Sequence, residues 1–195
     1  MRTIRATKSN RACIIKEAVR LLKKGKVILF PTETVYGIGA DAFNKKAAAK
    51  IFKLKKRPKD QPLQILISDI KTVKKLSSKV SKKAMSLMKK NWPGPITVIV
   101  TKKKTVPGIV TGGLNTIGLR MPDHALIREI IKHLGRPIAA SSANISGKKP
   151  PKTAKEAARH FKRGISLVID GGKCKIGKAS KVVDASGIIL RTLRK

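Results

Sequence analysis

Apolar positions recur along this chain with two alternating periods, and the alternation predicts an α/β architecture. Over residues 11–24, Ile14, Ile15, Ala18, Val19 and Leu22 return at three- and four-residue spacing, with Ser9 or Asn10 available as a cap and Gly25 as a stop. That amphipathic helix feeds an apolar strand over 27–30. Residues 45–54 read as a second helix, 64–67 as a strand, 81–90 as a helix capped by Ser81, and 96–101 as a strand. A strand over 116–121 follows, then a helix over 124–134 capped by Asp123, then a short strand over 137–140. Thr153 and Glu156 have capping-box spacing at the head of a helix that runs to Phe161. Three strands, 167–170, 182–184 and 188–192, close the chain. Strands so closely spaced disfavour an all-parallel sheet, so the expected fold is α/β (α+β), a twisted mixed sheet flanked by helices. Neither an internal repeat nor a low-complexity linker interrupts it, which predicts one domain over 1–195 with its core over roughly 11–192.

Composition adds one anomaly. Of 195 residues, 41% are hydrophobic, enough for one sizeable core, but 46 Lys plus Arg against 10 Asp plus Glu leave a net charge of +36. Such a balance suits polyanions, and it equally suits a general lysine bias on solvated helix faces. Cys13 and Cys174 lie far apart without a C-x-x-C pair, so a reduced intracellular protein is the simplest expectation. The basic start has no apolar run behind it, and no stretch approaches the roughly 20 apolar residues needed to span a bilayer. A soluble, cytoplasmic protein without a membrane partner is expected.

The densest candidate chemistry is Pro31-Thr32-Glu33-Thr34-Val35-Tyr36-Gly37-Ile38-Gly39-Ala40-Asp41, where an apolar strand runs into polar groups punctuated by glycine. It reads either as an ordinary connection or as one wall of a site for a small polar ligand. Lys55, Arg57 and their neighbours form a cation cluster pinned between prolines, suited to a phosphate chain or to a helix C-terminus. Arg120 ends an apolar strand, where an unpaired guanidinium is costly, so it should meet a carboxylate or a ligand anion. Ser142, Ala143 and Asn144 put hydroxyl and amide groups among small residues after a strand. Trp92, between Asn91 and Pro93, is expected to pack.

Absences narrow the chemistry. The sequence has no G-x-x-x-x-G-K-[ST], no strand-coupled G-x-G-x-x-G and no G-x-S-x-G elbow. His124, His133 and His160 lack two-histidine metal spacing, so no metal site is expected.

Taken together, the Pro31-to-Gly37 turn, Lys55 and Arg57, Trp92-Pro93-Gly94-Pro95, Arg120-Met121-Pro122, Ser142-Ala143-Asn144 and Ser180-Lys181-Val182-Val183-Asp184 resemble the YrdC-like threonylcarbamoyl-adenylate synthases, in order from 27 to 191. The resemblance implies a stand-alone α/β domain around a deep basic cavity, and a nucleotidyltransferase. L-threonine, bicarbonate and ATP would give threonylcarbamoyl-AMP and pyrophosphate for threonylcarbamoyladenosine modification of tRNA. Carried over by position, it places threonine against Thr32, Arg120, the Ala140 backbone and Ser180. It places ATP against Lys55, Arg57, Thr116, Ser142, Asn144 and Arg191, with Lys55 and Arg57 as the catalytic cations. No tightly bound cofactor is implied; Mg2+ would accompany ATP, and threonylcarbamoyl-transferase proteins would act downstream. Ser141, where proline is common, would loosen its loop, and Lys181 would add a cation beside the threonine site. The rival reading is a non-catalytic module that binds double-stranded RNA or tRNA, which the charge favours and the 3% aromatic content does not.

Overall fold

The computed structural model describes residues 1–187 and 189–194. In chain order they form β1 (Arg2–Arg5), α1 (Arg11–Lys23), β2 (Ile28–Phe30), β3 (Gly37–Asp41), α2 (Lys45–Lys55), β4 (Gln64–Leu66), α3 (Lys71–Leu76), β5 (Ser77–Lys79) and α4 (Lys82–Asn91). After these come β6 (Ile96–Lys102), a 3-10 turn (Gly108–Thr111), β7 (Thr116–Arg120), α5 (Ala125–Leu134), β8 (Ile138–Ser142), α6 (Ala154–Arg159), β9 (Leu167–Asp170), β10 (Lys181–Asp184) and β11 (Arg191–Arg194). One mixed sheet joins the strands in the order β1-β9-β2-β3-β8-β4-β7-β6-β10-β11, with β5 paired to β6. Parallel pairs such as β4 with β7 and β6 with β10 sit beside antiparallel ones such as β3 with β8 and β6 with β7.

Period-two alternation explains why β2 reads as an unbroken apolar run. Ile28 and Phe30 bury into one cluster with Ile14, Leu22, Ile127 and Ile130 of α1 and α5, while Leu29 faces the opposite cluster with Ile51, Ile65 and Val98. Both faces of this half of the sheet are therefore covered. Helices α1 and α5 pack on each other and lie over the β1-to-β8 half of their face. That cluster reaches β4 through Leu66 and, among the described residues, takes in none of β7, β6 or β10.

Several elements differ from the expectations. Strand β1 was invisible because it is an edge strand, paired only to β9 and mostly exposed, so it needs no apolar alternation. The second half of the 31–41 segment is not a turn but β3, wholly buried and antiparallel to β2. Its glycines hide it from a propensity reading. A Cβ on Gly37 would meet the Phe30 ring at 2.7 Å, and one on Gly39 would meet Ile138 at 2.7 Å and Phe30 at 2.8 Å. Gly37 and Gly39 thus make room for the Phe30 ring, and neither has a positive φ. Helix α3 and strand β5 are too short to show a period. Ser81 caps α4 through Ala84 N, and Thr153 caps α6 through Glu156 N. Asp123 does not cap α5; His124 holds that position without a side-chain bond. Asn10 precedes α1, but its side chain accepts from Thr7 N and donates to Arg5 O, tying down the end of β1. The last strand is Arg191–Arg194, shifted from 188–192, and Ile188 lies outside the described residues.

Candidate functional site

The part of the sheet formed by β4, β7, β6 and β10 is the floor of a cavity of about 400 Å³. Strand pleating puts Thr116, Gly118 and Arg120 of β7, Thr97 and Ile99 of β6, and Gln64 of β4 on this side. Their alternates Ile117, Leu119, Val98, Val100 and Ile65 sit in the core behind. A small annex of about 10 Å³ extends beneath the 31–37 turn and shares Gln64, Arg120, Ala140, Ser141 and Ser142 with the main cavity.

At the annex the 31–37 turn closes on itself. The Thr32 hydroxyl donates to Val35 O at 2.7 Å and lies 2.8 Å from Thr34 Oγ1, while Thr34 N approaches it at 3.2 Å. Thr32 therefore lines the annex with its hydroxyl already engaged. Thr34 Oγ1 accepts from Arg120 Nη2 at 2.8 Å, and Glu33 Oε1 lies 2.8 Å from the same nitrogen. The expectation that Arg120 meets a carboxylate is met by Glu33, with Arg120 only 2% exposed. Tyr36 lines the annex with its hydroxyl engaged elsewhere. Its hydroxyl donates to Gly172 O at 2.8 Å and accepts from Gly171 N at 3.1 Å, and burial pushes its pKa up.

Two further cations line the cavity. Arg57, half-buried, donates from Nε to Gln61 O and from Nη2 to Pro62 O. Arg194 donates from Nε to Ser180 O at 2.8 Å and from Nη2 to Ser180 Oγ at 3.2 Å. Burial, then the Arg194 charge, holds the Arg57 pKa below its ordinary value; burial, then Arg120, does the same for Arg194. No carboxylate lines this cavity among the described residues. A polar chain runs from Gln64 Oε1 through Thr97 Oγ1 to Ser180 Oγ, with links of 3.1 and 3.0 Å.

Of the residues expected here, the cavity or its annex brings together Thr32, Arg57, Thr116, Arg120, Ala140, Ser142 and Ser180. Three stand elsewhere. Lys55 is buried, not open to a ligand: its Nζ donates to Ser142 O and Asn144 O, each at 2.6 Å. Burial, then Arg57, lowers its pKa to about 7, and the two carbonyl bonds, which favour the ammonium, oppose that shift. Asn144 is likewise internal, its side-chain amide donating to Ile145 O and Lys148 O. Both fasten the loop after β8. Arg191 lies exposed on β11 outside the cavity lining, and Arg194, three residues on, lines the cavity. Sequence reasoning missed Gln64, Thr97 and Arg194. The signal for the first two was there, as polar residues on alternate positions of otherwise apolar strands.

Two departures from the family pattern also resolve. Ser141 belongs to β8 and pairs with Ile38, so the ladder, not a proline ring, fixes its backbone. Lys181 begins β10 exposed to solvent. No group of three metal-ligating side chains occurs among the described residues. A second groove of about 590 Å³ lies at the other ends of β4 and β8, lined by Phe43, Lys75, Lys132 and Arg136 among others.

Residues 20–195 match the family model Sua5_yciO_yrdC, described as Telomere recombination. The threonylcarbamoyl-AMP synthase of Pyrococcus abyssi is 44% identical over 170 residues, covering 87% of this chain and 50% of the relative. That of Bacillus subtilis is 43% identical over 181 residues, covering 92% and 52%. The chain spans about half the length of these curated relatives. Among solved structures, P. abyssi Sua5 complexed with L-threonine superposes with a TM-score of 0.93 at 40% identity, covering 98% of this chain and 56% of that one. Escherichia coli YciO gives 0.87 at 26% identity, covering 99% and 93%.

Proposed function

Because the chain belongs to the Sua5/YciO/YrdC family, we propose that it is an L-threonylcarbamoyladenylate synthase acting as one cytoplasmic domain around a deep basic cavity. The observation that carries this reading is the division of cations in the cavity lining, with Arg120 beside the annex and paired to Glu33, and Arg57 and Arg194 without a carboxylate partner among the described residues. An amino acid and a triphosphate need that division.

The threonine carboxylate would sit against Arg120, with Thr32, the Ala140 backbone and Ser180 shaping its surroundings; the ATP phosphates would lie towards Arg57 and Arg194, flanked by Thr116 and Ser142. Threonine nitrogen is carboxylated by bicarbonate with loss of water, and the new carbamate oxygen attacks the α-phosphate in line. The P–O bond to pyrophosphate breaks, and the leaving charge develops beside Arg57 and Arg194. No cavity residue is placed as a general base, so positioning and electrostatic stabilisation supply the rate. The lining has no carboxylate and so does not fit a protein-held Mg2+; any magnesium would arrive with the ATP phosphates as part of the substrate.

The product is a mixed anhydride, so a downstream transferase that delivers the threonylcarbamoyl group to tRNA is the fitting partner. A second role, contact with tRNA or double-stranded RNA, is favoured by the net charge of +36 and by the groove that carries Lys75, Lys132 and Arg136. Such binding would weaken steeply with salt. The synthase reading is tested by pyrophosphate release with threonine or bicarbonate omitted in turn. Release that needs both is expected, and release independent of both would refute it.

A further inference from the structure

Glu33 is the acid in the 31–37 turn, and it lines neither the cavity nor its annex. Its side chain is buried behind Arg120, whose Nη2 stands 2.8 Å from Oε1. The contact is an ion pair, while Nη2 donates to Thr34 Oγ1, and neither Glu33 oxygen has a hydrogen-bond donor among the described residues. A buried carboxylate without donors is costly unless an adjacent cation compensates it. Arg120 is the one cation within salt-bridge distance of Glu33 among the described residues, while burial keeps His124 below its ordinary pKa and pushes the Cys174 thiol up to about 11. Arg120 is therefore the counter-charge of Glu33, and Glu33 that of Arg120.

The guanidinium is correspondingly constrained. Nη2 is taken by Thr34 and Glu33, and Nε points to Gly94 O at 3.4 Å. Nη1 makes no hydrogen bond among the described residues, while Arg120 lines the cavity and its annex. We infer that Glu33 is a positioning residue that holds the Arg120 guanidinium from behind, leaving Nη1 to face the cavity, and so sets selectivity for an amino acid with a free carboxylate. Glu33 touches no substrate in this arrangement. It acts through Arg120, which explains why an acid sits in a site built for anions. The inference rests on the reading of Arg120 as the carboxylate contact.

The test compares binding of L-threonine, L-threoninamide and ATP by calorimetry in the wild type, Glu33→Gln, Glu33→Asp and Arg120→Lys. The wild type should prefer threonine over its amide. Glu33→Gln should lose about tenfold to a hundredfold in threonine affinity, the range of one charge-assisted hydrogen bond, while affinity for the amide and for ATP stays near the wild-type value. Glu33→Asp, which keeps the charge and withdraws it by one methylene, should fall between. Combined with Arg120→Lys, the Glu33→Gln change should cost nothing further.

A merely structural role would depress all three ligands together or none, so the ratio of threonine to amide is the deciding quantity. A folded Glu33→Gln protein with an unchanged ratio, or with tighter threonine binding, would overturn the inference. Tighter binding would mean that Glu33 only weakens the field of Arg120. If Glu33→Gln does not fold, Glu33→Asp carries the measurement, and a wild-type ratio there overturns the inference as well. A wild type indifferent to the carboxylate would instead sink the threonine reading, and this inference with it.

Discussion

The cavity holds its guanidinium groups in two opposite ways. Arg120 is 2% exposed and has Glu33 at 2.8 Å, so the free protein already neutralises it. Arg57 and Arg194 are braced by the carbonyls of Gln61, Pro62 and Ser180 and have no carboxylate within salt-bridge distance among the described residues. A neutralised arginine offers geometry: a fixed N–H that rewards one shape of ligand. Uncompensated arginines offer charge, and their field falls only when an anion arrives. The difference suits a small zwitterion read for shape and a triphosphate held by its charge.

The harshest way to break the contrast is Arg120→Ala. It strips Glu33 of its counter-charge, and breaking a buried pair by removing one partner costs about 3–5 kcal/mol. A lower urea midpoint and loss of threonine-dependent turnover are expected. A variant as stable as the wild type would show that Glu33 has another compensating group.

Arg57→Ala and Arg194→Ala should do the reverse. Each removes a cation the fold does not neutralise, so the melting midpoint should hold or rise slightly. Pyrophosphate release should fall by about a hundredfold to a thousandfold, the usual loss for one transition-state donor. Unchanged turnover in Arg57→Ala would refute its assignment to the phosphates.

How much of this was legible beforehand depends on the kind of signal. Arg120 and Arg57 stood out because charge in or beside an apolar element needs a partner, and the period-two runs located most of the sheet. Strand β3 was lost because its glycines respond to the Phe30 ring across the pair, a contact that one strand's sequence does not carry. Lys55 was misplaced for a related reason. As a lysine in a basic cluster it resembles its solvated neighbours, and only the carbonyls of Ser142 and Asn144, brought from far along the chain, mark it as internal. Arg191 came from the family pattern and not from any local signal, and the exposed apolar residues around it, Ile189, Leu190 and Leu193, do not mark Arg194 as the arginine that lines the cavity.

Lys55 sharpens the comparison as a cation that touches the site without facing it. Lys55→Met leaves the Ser142 and Asn144 carbonyls without their donor, at a cost of about 1–3 kcal/mol. It should also change the pH dependence of stability. Folded Lys55 releases its proton near pH 7, whereas the unfolded chain holds it up to the ordinary lysine value of 10.5. Across that window the unfolded state binds more protons, so this residue makes stability rise with pH, and below about 7 its contribution is constant. Urea midpoints at pH 7 and pH 9 should rise in the wild type and lose that increment in Lys55→Met. Parallel profiles would mean that the carbonyl bonds hold the ammonium against burial.

The smallest expected effect tests the position that the family resemblance favoured. Arg191 is exposed on β11 opposite Asp184, outside the cavity, while Arg194 reaches Ser180 from the same strand. A surface substitution away from such contacts stays within about 0.5 kcal/mol, so Arg191→Ala should leave both the melting midpoint and the KM for ATP near their wild-type values. Arg194→Ala, three residues on, should raise that KM or lower turnover. A bulge in the β10–β11 pairing sets Arg191 opposite Asp184 and Arg194 opposite Val182, on one face of the sheet, so position along the strand and not facing keeps Arg191 out of the cavity lining. If Arg191→Ala proves the more damaging, Arg191 is the phosphate contact on that face and Arg194 serves to hold Ser180.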